Sequence, residues 1–144
     1  MACGWVDAFG MYKGDGYQLA LLPISTLRPH EMVIEDRVRR LVEDLLRTWV
    51  LRRPILVDDS TYIVLDGHHR LEALRRIGAR MIAAVLVDYD GDYVEVDSWR
   101  LGIHVDKDMV RMAGLTGKLL PPRTSRHIVR FHVPELHVML HDLI

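Results

Sequence analysis

The six-residue stretch from Leu65 to Arg70, which reads Leu-Asp-Gly-His-His-Arg, constrains the fold more than any other part of the chain. It follows the apolar run 62–65, which predicts a strand. It leads into residues 68–77, which predict a helix closed by Gly78. An acid, a glycine, two imidazoles and a guanidinium are therefore expected at a strand-to-helix turn.

This turn has the chemistry of a phosphate site. The first turn of a helix offers unpaired backbone N–H groups and the positive end of the helix dipole, and both attract phosphate. Gly67 lets the backbone approach a ligand closely, while His68, His69 and Arg70 add donors and positive charge. Asp66 would repel a phosphate unless a metal ion or an exchangeable proton lay between them. The combination indicates phosphoryl chemistry rather than simple anion storage.

Composition narrows the class of protein. A chain of 144 residues with 49% hydrophobic residues suits one globular domain with its own core. The net charge of −1 does not indicate non-specific nucleic-acid binding. No apolar run approaches the roughly 20 residues needed to cross a bilayer. Because the N-terminus carries Asp7 and Lys13 and lacks a signal pattern, a cytoplasmic location without membrane attachment is expected.

Individual residue counts add two expectations. Cys3 is the only cysteine, so the sequence predicts no internal disulfide and no thiolate zinc site. Arginine outnumbers lysine sixteen to three, asparagine is absent and Gln18 is the only glutamine. This depletion of thermolabile amides favours a thermophilic source, although seven methionines count against it.

The pattern along the chain predicts an N-terminal arm over residues 1–18 and a single domain over 19–144. The most strongly patterned helix has an apolar face of six residues at helical spacing, with charged residues opposite. The expected elements are strand 19–22, helix 36–49, a hairpin of strands 54–57 and 62–65, helix 68–77, a central strand 81–87, strand 93–96, helix 106–113, strand 127–133 and a short helix from Pro134.

This order of elements around Asp-Gly-His-His-Arg resembles the ParB/sulfiredoxin-like superfamily, and more narrowly the archaeal free-serine kinases. Three segments carry the resemblance: Pro29-His30-Glu31, residues 65–70, and Leu120-Pro121-Pro122-Arg123-Thr124-Ser125-Arg126-His127. It runs from about residue 19 to 133. The fold it implies is a single α/β (α+β) domain with a mixed sheet flanked by helices.

The implied activity is phosphorylation of free L-serine by a nucleotide with Mg²⁺, which gives O-phospho-L-serine for cysteine synthesis. The chain differs from such kinases by lacking an insertion between the central sheet and the Pro-Pro segment. Members that use ADP and members that use ATP both exist, and ATP is the prediction here. The expected partners are free L-serine and the nucleotide, with no nucleic acid and no membrane, in a monomer or homodimer.

The resemblance implies two catalytic acids. Glu31 would accept the proton of the substrate hydroxyl, although a lone loop glutamate is otherwise most often a surface acid. Asp66 ends a buried strand at its carboxyl end, where ligand sites of α/β proteins open, and could hold Mg²⁺ or contact the attacking hydroxyl. The alternative is that Asp66 is the N-cap of the following helix; the two roles are compatible, and the functional one is favoured.

The nucleotide phosphates are expected on Asp66, Gly67, His68, His69 and Arg70. Arg70 suits bidentate phosphate recognition best. At least one of the two histidines is expected to pack inside and fix the turn.

The substrate side is assigned to a second segment. Thr124, Ser125, Arg126 and His127 follow a rigid Pro-Pro bend, and the resemblance implies that they grip the carboxylate of serine or the phosphate of the product. Without the resemblance they would be interpreted as the polar entry of a strand. Trp99 is expected to wall the substrate pocket, and an ordinary core or rim tryptophan is the alternative.

The C-terminal histidines invite a zinc hypothesis because His137 and His141 are one helical turn apart, with His132 nearby. The apolar residues of this segment already define the buried face of a short helix, so a packing or dimer role is favoured.

Three rival functions have different requirements. A ParB-like nucleotide switch in DNA partition would need a helix-turn-helix domain after the fold. Sulfiredoxin chemistry would need a cysteine where the chain has His68 and His69. A kinase for another small hydroxyl compound stays open, because pocket shape sets that choice.

Overall fold

The computed structural model describes residues 12–14 and 16–144. The arm predicted over residues 1–18, with Cys3 and Asp7, therefore lies largely outside the described residues. In chain order the elements are β1 (Tyr12–Gly14), β2 (Tyr17–Pro23), α1 (Glu35–Thr48), β3 (Val50–Leu51), β4 (Ile55–Asp58), β5 (Val64–Asp66), α2 (His68–Ile77), β6 (Met81–Val87), β7 (Val94–Ser98), α3 (Lys107–Thr116), β8 (Ser125–Val129) and β9 (Val138–Met139).

Within the described residues, five strands form a mixed sheet in the order β1, β2, β6, β4, β5. Strand β6 lies between β2, which is antiparallel to it, and β4, which is parallel. Residues 82–87 of β6 are all buried, as expected for a central strand covered on both faces. The predicted mixed α/β fold is confirmed. Residues 12–14 pair with β2 and so belong to the sheet, while the boundary at residue 18 stays a prediction.

The two helices that frame the candidate site pack against each other. Helix α1 carries Glu35 in its first turn, and Arg76 near the end of α2 donates to both carboxylate oxygens of Glu35. Helix α2 begins at His68 and ends before Gly78, which lies in the left-handed region as a C-terminal cap, in agreement with the sequence. The turn at 66–70 thus leads into a helix whose C-terminal end is held to α1 and capped by Gly78.

The helix predicted from Pro134 is wrong. The segment instead forms β9, which pairs antiparallel with β3, followed by a short 3-10 turn over Leu140–Asp142. The amide of Leu136 donates to the carbonyl of Arg52 and that of Leu140 to Trp49. These long-range main-chain bonds take the place of the hydrogen bonds of a helix. Leu136, Leu140 and Leu143 are buried all the same, so burial of these apolar residues did not require a helix.

Strands β7 and β8 pair antiparallel as a separate ribbon, with Ser98 opposite Ser125. Both strands were predicted, over 93–96 and 127–133, but β8 begins two residues and ends four residues earlier than predicted. Helix α3 is capped by Asp106, whose carboxylate accepts from the amide of Met109. No helix in the described part of the chain is long and apolar enough to cross a membrane.

Candidate active site

Gly67 forms the turn between β5 and α2. Its φ of +102° is left-handed, and a Cβ atom there would lie 2.5 Å from Cγ2 of Ile55, so only glycine fits. Gly67 is itself the N-cap, and no side chain caps the helix. The interpretation of Asp66 as a cap is therefore wrong. Its carboxylate is largely exposed, 3.8 Å from Nη2 of Arg70.

The uncapped end of α2 opens on a cavity of about 430 Å³. Residues 65–70 form one side of this cavity, and Glu31, Trp99 and Ser125 line another. Among the described residues, the arginines that line it are Arg37 and Arg40 of α1, Arg70 of α2, and Arg123. Arginine can bind phosphate or carboxylate in a bidentate manner, so the cavity is suited to an anion with several charged oxygens.

Glu31 lines this cavity and is fixed by three hydrogen bonds. Its Oε1 accepts from the amide of Arg123 at 2.9 Å. Its Oε2 accepts from the amide of Ser125 at 2.9 Å and from the hydroxyl of Ser125 at 2.6 Å. The segment that carries Glu31 forms a parallel bridge with Leu120. Glu31 is buried, so it is not the surface acid that was its alternative interpretation.

The two histidines of the turn hold the segment that carries Glu31. Nε2 of His68 accepts from the amide of His30 at 3.1 Å, and Nε2 of His69 accepts from the amide of Ile34 at 3.0 Å. Burial lowers the pKa of His68 and of His69, which favours neutral rings with the hydrogen on Nδ1. Both imidazoles therefore bind the main chain. At least one histidine was expected to have such a packing role, and both have it.

Arg70 lies partly buried beside the turn, with 21% of its side chain exposed. Its Nη2 donates to the carbonyl of Pro54 at 3.2 Å, and its buried Nε has no hydrogen-bond partner. Burial lowers the pKa of Arg70, but a guanidinium remains charged in a protein. An unpaired donor on a buried cation is a reason to expect an anion there.

Two guanidinium groups lie over the ring of Trp99. Arg123 is 5.5 Å and Arg126 is 5.1 Å from the centre of its ring. Trp99 and Arg123 line the cavity, whereas Arg126 does not. Arg123 has a φ of +55°, which is rare for a residue with a side chain and often marks a functional site. The tryptophan is 52% exposed, so it is a rim residue and not a core residue.

Thr124 and His127, near Ser125 in the sequence, do not line the cavity and have other partners. The hydroxyl of Thr124 donates to the carbonyl of Pro121 at 2.7 Å. Nε2 of His127 lies 2.8 Å from the hydroxyl of Tyr89, and its buried Nδ1 has no partner. Burial, followed by the nearby His30, lowers the pKa of His127 to about 3. The structure thus brings Trp99 and Ser125 to the cavity but not Thr124, Arg126 or His127.

Sequence analysis missed Arg37, Arg40 and Arg123 as cavity residues. The first two are three positions apart at the start of α1 and therefore share one face of the helix. Together with the excess of arginine over lysine, that spacing could have marked them. Arg123 lies within the segment 120–127, in which the sequence analysis assigned Arg126 to the substrate instead.

Comparison with curated proteins identifies two kinds of relative. Over 93 residues the chain is 39% identical to a ParB-like protein of Sulfolobus acidocaldarius, which covers 65% of this chain and 46% of that protein. Over 83 residues it is 31% identical to an ATP-dependent L-serine kinase of Staphylothermus marinus, covering 55% and 33%. Over 82 residues it is 27% identical to an ADP-dependent L-serine kinase of Thermococcus kodakarensis, covering 54% and 34%. The chain therefore matches less than half the length of each of these relatives.

Among solved structures, free serine kinase in complex with AMP superimposes with a TM-score of 0.80 at 16% identity, covering 95% of this chain and 97% of the other. This likeness shows the fold. No protein-family model matches the chain. The resemblance inferred from three short motifs is thus confirmed, since the chain is similar in sequence to L-serine kinases and shares the fold of one.

Proposed function

We propose that this chain, which shares its fold with free serine kinase, is a nucleotide-dependent kinase that phosphorylates the hydroxyl of free L-serine to give O-phospho-L-serine. One observation carries the proposal: the uncapped N-terminus of α2 and the carboxylate of Glu31 open on the same cavity of about 430 Å³. A phosphate cradle and a candidate proton acceptor therefore share one space, as phosphoryl transfer to an alcohol requires.

The donor phosphates lie on the turn 66–70. The first-turn amides of α2 and the helix dipole bind them, and Gly67 allows the close approach. Arg70 contributes its unpaired Nε, and the guanidinium groups of Arg37 and Arg40 face the same cavity. His68 and His69 support this site through the backbone of residues 30–34.

Asp66 would hold Mg²⁺. No group of three or more acidic, histidine or cysteine residues suited to a metal occurs in the part of the chain that the structure describes. A single exposed carboxylate fits the ion nonetheless, because Mg²⁺ commonly takes one or two protein carboxylates together with substrate phosphates. The ion neutralises phosphate charge when bound, which relieves the repulsion between Asp66 and the nucleotide.

Glu31 accepts the proton of the serine hydroxyl. A carboxylate has about four lone-pair positions, and three of those on Glu31 are taken by the donors from Arg123 and Ser125. One position is left for the substrate. The three fixed bonds hold the carboxylate in one orientation, so the attacking oxygen is aligned before transfer begins.

Arg123 binds the carboxylate of serine, and Trp99 walls the acceptor pocket. Both line the cavity together with Glu31, and the guanidinium groups of Arg123 and Arg126 lie over the ring of Trp99. Thr124 and His127 support this segment through their bonds to Pro121 and Tyr89. ATP is the favoured donor, and cytoplasmic cysteine synthesis is the proposed use of the product.

The test is phosphoryl transfer from ATP or ADP to L-serine with Mg²⁺, with O-phosphoserine detected by mass spectrometry. We expect product with serine but not with threonine or glycerol, and more with ATP than with ADP. Glu31→Gln should lower the rate by about three orders of magnitude. Glu43→Gln changes an exposed acid on α1 and should leave the rate unchanged. A Glu31→Gln rate equal to wild type would refute the assigned base.

A second candidate is a ParB-like nucleotide-binding module without kinase activity. The 39% identity to a ParB-like protein favours it. Such a module would bind or hydrolyse nucleotide with no dependence on serine, and the same assay without product would support it.

A further inference from the structure

A buried chain of polar atoms lies behind Glu31. Nδ1 of His30 lies 2.6 Å from the carbonyl oxygen of Val64, and Nε2 of His30 lies 2.8 Å from Oγ of Ser125. The same Oγ lies 2.6 Å from Oε2 of Glu31. The chain therefore runs from a backbone carbonyl, through an imidazole and a hydroxyl, to the carboxylate at the cavity.

The hydrogens of this chain can be counted. A carbonyl oxygen only accepts, so Nδ1 of His30 carries a hydrogen. When His30 is neutral, its Nε2 is then an acceptor. The hydroxyl of Ser125 has one hydrogen but two acceptors within bonding distance, Nε2 of His30 and Oε2 of Glu31. While Glu31 is ionised, one of these two short contacts lacks a hydrogen.

Burial favours the neutral imidazole, against the carboxylate of Glu31, whose Oε2 lies 3.6 Å from Nε2 of His30 and raises the pKa of the ring. His30 is fully buried, and both Ser125 and Glu31 are at least 91% shielded from solvent. Desolvation lowers the pKa of His30, because a charged ring would lose its hydration there. The choice of the Ser125 hydrogen between its two acceptors is therefore governed by the charge of Glu31, since a carboxylate is the stronger acceptor when ionised and a weaker one when protonated.

We propose that Ser125 and His30 are positioning residues that act as a two-position hydrogen switch behind Glu31. The inference rests on the proposed function and adds two residues to it. While Glu31 is ionised, the hydroxyl of Ser125 donates to Oε2. When Glu31 takes the proton of the substrate hydroxyl, the Ser125 hydroxyl rotates and donates to Nε2 of His30. No covalent bond of Ser125 breaks, and the only proton transferred is the one that moves from substrate to Glu31.

The switch lowers the cost of protonating Glu31. Without Nε2 of His30, the hydrogen of Ser125 would stay against a carboxyl group that has lost its charge, and a buried hydrogen bond would be weakened as the proton arrives. The rotation exchanges this weakened bond for an unweakened one to Nε2, and the difference is worth at most one neutral hydrogen bond, a rate factor of up to about ten. The effect falls on the chemical step and not on substrate affinity.

A double-mutant cycle tests the coupling. His30→Asn keeps an N–H near Nδ1 for Val64 but has no atom at the position of Nε2. We expect it to lower the single-turnover rate of phosphoserine formation about tenfold, with KM for serine and nucleotide within twofold. In the Ser125→Ala background the same substitution should have no further effect, because the hydroxyl that transmits it is gone. A tenfold loss in both backgrounds would mean a packing role for His30 and would overturn the proposal.

Matched variants complete the cycle. His30→Gln places an acceptor near Nε2 and should recover most of the rate, and Ser125→Thr keeps the hydroxyl and should retain the coupling. Thr61→Val removes another hydroxyl that donates to a carboxylate at 2.6 Å, that of Asp58. In that background His30→Asn should cost its full tenfold. Circular dichroism and thermal unfolding show whether each variant folds.

A second measurement needs no change at His30. Nitrogen NMR of the wild-type protein at neutral pH should show hydrogen on Nδ1 of His30 and none on Nε2, and Ser125→Ala should shift the Nε2 signal while Thr61→Val does not. Hydrogen on Nε2 in the resting protein would overturn the switch. Wild-type protein that makes no phosphoserine would instead overturn the proposed function, and the nitrogen signals would still decide the hydrogen arrangement.

Discussion

The two halves of the candidate site use their backbone in opposite ways. At the turn 66–70, which we call the donor half, no side chain caps the helix, so its first amides stay available for a ligand. In the segment 123–127, which we call the acceptor half, the amides of Arg123 and Ser125 are occupied by Glu31. One half leaves its backbone amides available, and the other uses its amides to hold the carboxylate of Glu31, the proposed proton acceptor.

This difference fits the chemistry expected on each side. A phosphate spreads its charge over several oxygens, and backbone amides with a helix dipole bind it without a particular side chain. A proton acceptor must instead be held in one orientation relative to the attacking atom. In both halves the imidazoles face the protein: His68 and His69 towards the segment 30–34, and His127 towards Tyr89.

Substitution of Gly67, in the donor half, should have the largest effect on nucleotide affinity and on stability. Gly67→Ala combines a φ of +102° with a Cβ contact at 2.5 Å to Ile55, so the turn must move. We expect nucleotide affinity to fall at least about a hundredfold and stability by about 2–3 kcal/mol. Gly78→Ala is the control, since its φ is +94° but nothing lies within 4 Å. It should cost about 1 kcal/mol of stability and leave nucleotide affinity intact.

Calorimetric titration of nucleotide and thermal unfolding measure both quantities. Equal losses of affinity in the two glycine variants would show that the donor half is not formed by the backbone at Gly67.

Two arginines lie over the ring of Trp99 in the acceptor half, and comparing them shows which one binds serine. Arg123→Ala removes a cation that lines the cavity while keeping the amide that binds Glu31. We expect KM for serine to rise about tenfold to a hundredfold, as for loss of a charged hydrogen bond, with KM for nucleotide little changed. Arg126→Ala, outside the cavity lining, should change KM for serine less than threefold. The reverse order would restore the assignment of Arg126 made from the sequence.

The smallest effect is expected from His127 of the acceptor half. It concerns how the free energy of unfolding depends on pH. The pKa of His127 is about 3 in the folded protein, below the usual value of 6.5, so the unfolded chain binds the proton more readily. The contribution of His127 is fully present above pH 6.5 and is lost as the pH falls towards 3. The slope is at most about 1.4 kcal/mol per pH unit.

Urea unfolding at pH 7, 6 and 5 measures this slope. His127→Gln should make it shallower, whereas His132→Gln, an exposed control, should not. An unchanged slope in His127→Gln would mean that other groups carry the acid sensitivity.

Local patterns predicted most of the helices and strands. Helix 36–49 is observed as Glu35–Thr48 and helix 68–77 as His68–Ile77, because both have an apolar face at helical spacing and the second ends at a glycine. The hairpin before the turn was also predicted, since two apolar runs flank four polar residues. The predicted hairpin also placed Asp66 at the carboxyl end of β5, where the structure has it.

Contacts between distant residues could not be predicted in the same way. Glu31 is bound by amides 92 and 94 positions away, and the orientation of His68 and His69 is set by amides of the segment 30–34. The pairing of β3 with β9 likewise overrode the helical spacing near the C-terminus. A sequence supplies the residue types of a site more readily than their partners, because those partners depend on packing over the whole fold.

The segment from Arg28 to Ile34 has a consequence for binding energy. It is joined to its neighbours on both sides: Arg28 exchanges main-chain bonds with the strand region 62–64, and the segment around Glu31 does so with Leu120. A loop that becomes ordered only when a ligand binds loses conformational entropy, and this loss weakens the affinity. Here the main-chain bonds of the segment form when the chain folds, so the segment loses little further conformational entropy when a small acceptor binds.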